Sequence, residues 1–560
     1  MRRSHARNRV NSIYNSNSNS RSTGGSCSPA KMDQTRFQSR SNTRSPNFFP
    51  QISKQSRMSS PLLVASVPAT FAILLCCYLF IFSTKDTEKY RIIIDGGSTG
   101  TRIHVFRYTV EGGRAVFDFK EDGLVSMRVS PGLSAYAGDP ENAGLSVMRL
   151  LEFGKGNVPK RLWAETEIRL MATAGLRLLD IGVQEQILES CRRVLSVSGF
   201  KFHDEWASVI TGSDEGVYAW MVVNYALGTL GGDPLQTTGI IELGGASAQV
   251  TFVSSEPMPP EFARTVRFGN STYNLYSHSF LHFGQNVAFE SMRESLISRE
   301  LELASNSLHD GNEVHADPCS PRGYLHDRES WKMCPGSLPE RNEFLSKLQS
   351  SGNFSECRSL ALMLLQMGKE KCSYNHCNLG SAFMPKLQGK FLATENFFHA
   401  SKFFELRPRA FLSGLVMAGE RFCGEDWSKL KNKYQTVDEE ELLHYCFSSA
   451  YIVALLHDSL GIALDDERIT FANQVKDMPL DWALGAFILQ STADLNVQHQ
   501  ATDWMITIIS DDSPTLFSLI AITVLLIFIG WMISKCRKPQ LKTVYDLEKG
   551  RYFVTRVNRR

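Results

Sequence analysis

The sequence predicts an α/β protein built by duplication and bracketed by two membrane-like segments. Three observations lead there. Strand-like and helix-like segments alternate through the middle of the chain instead of separating by type. One strand–turn–strand unit occurs twice, about a domain apart. Two uncharged runs of membrane length, residues 61–82 and 514–534, enclose everything between them.

The two runs set the compartment of the rest. Each is long enough to cross a bilayer as a helix. A cleaved signal peptide does not suit the first, which is too long and starts about 60 residues in. Lys54 and Arg57 precede the first run, and Lys535, Arg537 and Lys538 follow the second. By the positive-inside rule both termini are cytoplasmic, and residues 84–513 are lumenal or extracellular. Golgi and cell surface share that topology.

Residues 1–60 hold 11 Lys/Arg against Asp33 alone and are rich in Ser and Asn, which predicts a disordered basic tail. Residues 535–560 form a second basic tail, with nine Lys/Arg against Asp546 and Glu548. Setting both ends aside leaves 40 basic against 55 acidic residues, so the central region is acidic and carries no nucleic-acid footprint. Oligomeric state is left open.

Eight of the 12 cysteines lie in the central region: Cys191, Cys319, Cys334, Cys357, Cys372, Cys377, Cys423 and Cys446. An even number in an oxidising compartment predicts disulfides. Cys372-Ser-Tyr-Asn-His-Cys377 imitates a metal site through His376, but a short-loop disulfide is the better reading. Asn270-Ser-Thr and Asn353-Phe-Ser are consistent with glycosylation there.

Along the central region, 91–95 and 101–107 read as strands around a glycine turn, and 167–172 as a strand entering Thr173-Ala-Gly175. Residues 184–198 have helical spacing in Ile187, Leu188, Cys191, Val194 and Leu195. Residues 217–230 read as a second helix, begun by Ser213-Asp-Glu215 and ended by Gly231-Gly232.

The repeated unit carries the chemistry. Ile-Ile-Ile-Asp95-Gly96-Gly97-Ser98-Thr99-Gly100-Thr101-Arg102 aligns with Ile-Ile-Glu242-Leu-Gly244-Gly245-Ala246-Ser247-Ala-Gln249. Both run from β-branched residues through a carboxylate into a small-residue turn and out into a second strand. The first turn also fits G-x-S-x-G, but a nucleophile elbow must lead into a helix, and Ile103 and Val105 alternating with His104 and Arg107 are strand chemistry. A phosphate cradle suits the turns better: glycines let backbone N–H groups approach, and Ser98, Thr99 and Thr101 add hydroxyls. A carboxylate beside bound phosphate needs a divalent cation between them, and Asp95 and Glu242 are hard oxygen donors for Mg²⁺ or Ca²⁺. Asp214 and Glu215 open the following helix, where they either cap it or supply a base for an attacking water. The helix N-terminus is expected to lower that base's pKa.

Asp95-Gly-Gly-Ser-Thr-Gly-Thr-Arg102, Ala172-Thr-Ala-Gly-Leu-Arg177, Gly212-Ser-Asp-Glu-Gly-Val-Tyr-Ala-Trp220 and Leu243-Gly-Gly-Ala-Ser-Ala-Gln249 together resemble the first four conserved regions of the apyrases (nucleoside triphosphate diphosphohydrolases), in the family's order and spacing. Membrane-bound plant apyrases with a span near each end are the nearest pattern. The resemblance covers about residues 90–500 and extends to Cys372…Cys377, Cys423…Cys446 and Asp481-Trp-Ala-Leu-Gly485.

It implies two RNase H-like lobes of the actin/Hsp70-like superfold, at 90–237 and 238–505. It also implies metal-assisted attack of water on a nucleoside tri- or diphosphate, with Ca²⁺ or Mg²⁺. Glu215 matches the general base, Gln249 and Ser247 the residues that orient the water, and Asp95 and Glu242 the acids that hold a hydrated metal. Gly96, Gly97, Ser98, Thr99, Gly100, Thr101 and Arg102 match one phosphate loop; Gly244, Gly245, Ala246 and Ser247 match the other, with Thr173 lining the same site. The family's usual acid before the second loop is Asp, so Glu242 departs from it. Residues 391–404 match the aromatic fifth region only loosely, leaving Phe398, His399 and Trp482 between base stacking and core packing. The competing reading is a membrane-anchored nucleotide-binding receptor in which Glu242 has cost the activity.

Overall fold

The computed structural model describes residues 88–492, apart from 112–113, 118, 120–122, 307–314, 327–347, 376 and 407–410. It also describes 524, 527, 528, 532, 541–546 and 551–556. The expected tail 1–60, the expected span 61–82, Cys334 and His376 lie outside the described residues, as does most of 514–534. Among the described residues no helix is long and apolar enough to cross a membrane. Leu541–Asp546 and Arg551–Arg556 pair as an antiparallel hairpin within the expected second tail.

The first lobe is a six-stranded mixed sheet of β1 (Lys89–Gly96), β2 (Thr101–Glu111), β3 (Arg114–Phe117), β4 (Leu124–Val129), β5 (Glu167–Ala172) and β6 (Ala207–Val209). Its order is β3-β2-β1-β5-β6, with β4 also on β2. The hairpin β1–β2 is antiparallel, and β5 joins β1 in parallel. Ile92, Ile93 and Ile94 are fully buried because both faces of β1 are covered, so the strand reads as a continuous apolar run. One face meets α1 (Glu141–Asn157) and, beyond the short α2 (Ala174–Arg177), α3 (Ile181–Ser196), through a core containing Ile92, Ile103, Leu150, Leu170 and Leu188. α3 starts earlier than its apolar spacing suggests, because Asp180 caps it by accepting the Gly182 N–H at 2.8 Å.

Between the lobes lies α4 (Gly212–Leu227). Its cap is Thr211, whose Oγ1 accepts the Asp214 N–H at 3.1 Å, and it ends at Gly228 with φ +74°. The expected start at Ser213-Asp-Glu215 and stop at Gly231-Gly232 are therefore displaced, since the threonine hydroxyl and the earlier glycine serve those ends first.

The second lobe repeats the pattern with β7 (Gly239–Leu243), β8 (Ser247–Val253), β9 (Ala263–Phe268), β10 (Ser271–Leu281), β13 (Phe391–Glu395) and β14 (Ile469–Phe471), ordered β14-β13-β7-β8-β10-β9. β11 (His315–Asp317) and β12 (Leu348–Ser350) pair separately. Again an antiparallel hairpin, β7–β8, receives a parallel neighbour, β13. The helices are α5 (Gln285–Asn306), α6 (Phe354–Gln366), α7 (Asn396–Phe403), α8 (Phe411–Cys423), α9 (Trp427–Lys433) and α10 (Glu439–Val453). α4 and the helix at 482–492 share a core with both sheets, including Ile93, Phe106, Trp220, Ile240 and Phe487. Their approach leaves no side-chain room at Gly485, where a Cβ would lie 1.8 Å from the Tyr218 carbonyl oxygen.

Cys319–Cys357, Cys372–Cys377 and Cys423–Cys446 are disulfides, all in the second lobe. Cys191, expected among the paired cysteines, is instead a free thiol buried in the first-lobe core. Of the two sequons, Asn270 is exposed, whereas the Asn353 side chain caps α6 by accepting the Glu356 N–H at 3.3 Å.

Candidate active site

The two glycine turns are built alike. Gly96 pairs with Thr101 and Leu243 with Ala248, so each hairpin closes through four residues, 97–100 and 244–247. In the same register Asp95 stands opposite Arg102 and Glu242 opposite Gln249. The tips face each other: a Cβ on Gly245 would lie 2.9 Å from Ser98 Oγ and 3.2 Å from Thr99 Cγ2. The second turn is pinned to α5, because the Gly244 carbonyl accepts the Gln285 N–H at 2.9 Å and the Gly245 carbonyl accepts the Asn286 N–H at 3.0 Å. Strand follows the first turn as well as preceding it, so Ser98 does not sit on a nucleophile elbow.

A cavity of about 120 Å³ lies between the turns. Asp95, Gly97, Ser98, Thr99, Gly100, Arg102, Thr173, Glu215, Glu242, Gly244, Gly245, Ala246 and Ser247 all line it. Three expected residues stand behind that wall: Gly96 and Thr101 are buried in the hairpin, and Gln249 lies behind Ser247, donating from Nε2 to Ser247 Oγ at 2.6 Å.

The carboxylates are unusually deep. Glu242 is 6% exposed and Glu215 7%. Asp95 Oδ1 and Glu242 Oε2 are sealed from solvent with no hydrogen-bond partner among the described residues. Burial, reinforced by Asp481 and Glu215, pushes the Asp95 carboxyl well above its ordinary range. Burial and Glu215 do the same to Glu242. Glu215 is also raised, because burial outweighs the Arg177 guanidinium paired with its Oε2. The lowering expected from the helix N-terminus is thus reversed. Arg177 also donates to Ser279 Oγ at 3.2 Å, and Gln249 Nε2 reaches the same oxygen at 3.2 Å, so Glu215, Arg177, Ser279 and Gln249 form one chain of contacts.

Several wall residues are not among the site residues expected from the sequence. Arg128, from β4 beside β2, donates to Thr99 Oγ1 at 2.8 Å. Asp481 is held low against the cost of burial by His104 and Arg102, the latter donating from Nη1 at 3.0 Å across 379 residues of chain. Glu395, at the end of β13, also lines the cavity. Arg177 and Asp481 lay inside quoted motifs, but only their neighbours in space show what they do. Trp482 is 6% exposed at the cavity wall near Tyr218, Phe398 is half-buried with its ring 6.0 Å from that of His399, and His399 is exposed on a second cavity.

The residues present fit a divalent cation. Asp95, Glu215, Glu242, Glu395 and Asp481 face Arg102, Arg128 and Arg177, a formal excess of two negative charges where a polyanion would have to bind. The sealed, unpartnered oxygens of Asp95 and Glu242 are hard donors suited to such an ion. Among the described residues no three ligating side chains converge on one point.

A profile of the GDA1/CD39 (nucleoside phosphatase) family matches residues 81–503. "Probable apyrase 6" of Arabidopsis thaliana is 55% identical over the full length of both chains. "Probable apyrase 5" of the same plant is 54% identical over 80% of this chain and 93% of its own. A crystal structure of nucleoside triphosphate hydrolases from Neospora caninum superposes with a TM-score of 0.52 at 18% identity, over 79% of this chain and 100% of that one, so the α/β fold of two matching lobes, the actin/Hsp70-like superfold, is shared. With four ordered motifs gathered around one cleft, the chain belongs to the GDA1/CD39 nucleoside phosphatase family.

Proposed function

We propose that this protein is an apyrase that hydrolyses phosphoanhydride bonds of nucleoside tri- and/or diphosphates, releasing phosphate. The observation that carries the reading is the pair of matched turns facing each other across one cavity, with Glu215 on its wall. Backbone N–H groups of 97–100 and 244–247, with the hydroxyls of Ser98 and Thr99, receive the phosphate oxygens. Water held near Ser247 and Gln249 attacks the terminal phosphorus. The bridging P–O bond breaks toward the departing nucleotide, and the water's proton passes to Glu215. The Arg177 guanidinium favours the ionised form of Glu215, while burial raises its pKa and makes it a stronger base than an exposed glutamate. A divalent cation, Ca²⁺ or Mg²⁺, held by Asp95 and Glu242 through water, would supply positive charge beside the phosphoryl oxygens.

Phosphate release from ATP, ADP, GDP and UDP, with each cation and with EDTA, tests the reading. Cation-dependent release from at least one nucleotide, abolished by EDTA, is expected. No cation-dependent release from any of them, alongside nucleotide binding, would leave the membrane-anchored receptor.

The same reading places the two lobes on the lumenal or extracellular side of a membrane, with 61–82 and 514–534 as spans. Three disulfides support it, since such bonds persist in oxidising compartments. Protease added outside sealed vesicles of secretory membranes is expected to remove the tail 1–60 and spare the lobes. Digestion of the lobes with the tail intact overturns the orientation.

A further inference from the structure

Glu395 breaks the duplication at a telling point. Asp95 stands opposite Met171 and Gly96 opposite Ala172, while Glu242 stands opposite Thr394 and Leu243 opposite Glu395. Glu395 therefore occupies the place of Ala172, a fully buried alanine. Its backbone is at φ 59°, ψ −119°, a region that glycine enters freely and a residue bearing a Cβ does not. The surroundings hold it there: Asn473 Oδ1 accepts the Glu395 N–H at 2.7 Å, and Asn396 Nδ2 donates to the Leu243 carbonyl at 2.8 Å. Glu395 stands at the N-terminus of α7, yet its side chain makes no capping hydrogen bond. Helix capping does not account for a carboxylate in this conformation.

Its location gives a reason. A second cavity of about 520 Å³ adjoins the phosphate cavity, and the two share Thr99, Arg128, Gly244, Gly245 and Glu395 as their common wall. If phosphates occupy the space between the turns, the larger cavity is the adjoining room for a nucleoside, and the sugar crosses the shared wall. The two charged side chains of that wall are a guanidinium, which only donates hydrogen bonds, and a carboxylate, which only accepts them. Phosphate oxygens need donors; sugar hydroxyls offer donors of their own. Both side chains line both cavities, so on this wall Arg128 is the group able to meet phosphate oxygens and Glu395 the group able to meet sugar hydroxyls.

Resting on the nucleotide phosphohydrolase reading, we propose that Glu395 is a specificity-determining residue that accepts hydrogen bonds from the ribose hydroxyls, so that the site selects ribonucleotides over deoxyribonucleotides. The strained backbone is then the means by which a carboxylate, rather than the alanine of the first lobe, is presented at the wall.

The test is equilibrium binding of the non-hydrolysable adenosine 5′-(α,β-methylene)diphosphate and its 2′-deoxy and 2′,3′-dideoxy forms to the full-length protein with Mg²⁺. The wild type is expected to bind the ribose form at least about tenfold more tightly than the dideoxy form, the weight of a hydrogen bond to a charged group. Glu395→Ala is expected to bring that ratio to about one at an unchanged melting temperature. Glu395→Gly is expected to lose the discrimination as well, and to melt at or above the wild-type temperature because glycine adopts this φ without strain. A wild-type ratio near one, or a ratio that survives Glu395→Ala, overturns the proposal. Equal weakening of all three ligands by Glu395→Ala also overturns it, assigning the carboxylate to the phosphate or cation instead. Phosphate release from ADP by the wild type, measured separately, judges the hydrolase reading on its own terms.

Discussion

The two lobes share a backbone and diverge in what they hang on it. Each presents an antiparallel hairpin with a four-residue turn, a parallel third strand, and an acid in the hairpin's last pair but one before the turn. Even the polar brace is repeated: Thr173 Oγ1 reaches the Gly96 carbonyl at 3.5 Å, and Asn396 Nδ2 reaches the equivalent Leu243 carbonyl at 2.8 Å. Opposite the acids, however, Arg102 turns to Asp481, while Gln249 turns to Ser247 and Ser279 beside the base. The first lobe thus supplies the three arginines of the cleft, and the second supplies three of its five acids together with the neutral groups of Ser247, Gln249 and Ser279 next to Glu215. The two turns match because backbone geometry makes them; their surroundings differ because side chains are free to change on a fixed backbone.

The largest effect expected is at the base, which neither turn duplicates. Glu215→Gln is expected to keep nucleotide binding and lose on the order of a hundredfold or more in kcat. Steady-state phosphate release undiminished in that variant removes Glu215 from the role.

The two acids are next. If Asp95 and Glu242 serve one hydrated cation, their different lengths matter, because Mg²⁺ demands tight octahedral geometry and Ca²⁺ tolerates more. Glu242→Asp is expected to change the Ca²⁺/Mg²⁺ activity ratio several-fold. A ratio that stays put takes Glu242 out of the metal site.

A stability measurement probes the same pair without turnover. Both carboxyls have folded-state pKa values raised above their unfolded values by burial and neighbouring acids. Below about pH 4 both folded and unfolded chains hold these protons. As pH rises above that, the unfolded chain ionises first, so the stability these groups contribute falls toward their raised folded values. A cation relieves that cost by replacing the proton. The melting-temperature gain from Ca²⁺ or Mg²⁺ is therefore expected to be larger at pH 7.5 than at pH 5, and smaller in Asp95→Asn. A gain independent of pH contradicts this account.

The smallest difference expected separates the two braces. Asn396→Ala is expected to cost about 1 kcal/mol of unfolding free energy by removing a well-placed hydrogen bond. Thr173→Ala should cost less, because 3.5 Å is at the limit of such a bond. Denaturant melts with equal losses would show that the braces are equivalent after all.

Much of this site was legible because it is local. The hairpins follow from β-branched runs meeting small-residue turns. Ile103 and Val105 alternating with His104 and Arg107 told strand–turn–strand from an elbow, and the Cys372–Cys377 loop paired as read. The helix around Glu215 was placed correctly but its ends were not, since Thr211 and Gly228 outcompeted the more conspicuous Ser-Asp-Glu and Gly-Gly. The free thiol of Cys191 escaped because counting cysteines does not reveal which lie in a core with none opposite.

What the sequence by itself determined is the backbone: where strands turn, which acids follow them, and that the pattern occurs twice. These depend on φ/ψ preferences and burial periodicity over a few residues. Tertiary structure alone decided the electrostatics. It set Arg177 against Glu215, brought Asp481 to Arg102 from 379 residues away, aimed Arg128 at the first turn, and raised the pKa of Glu215 where its helix end would have lowered it. A charge's energy depends on desolvation and on whatever charges lie within a few ångströms, and in a folded chain those neighbours come from segments remote in sequence.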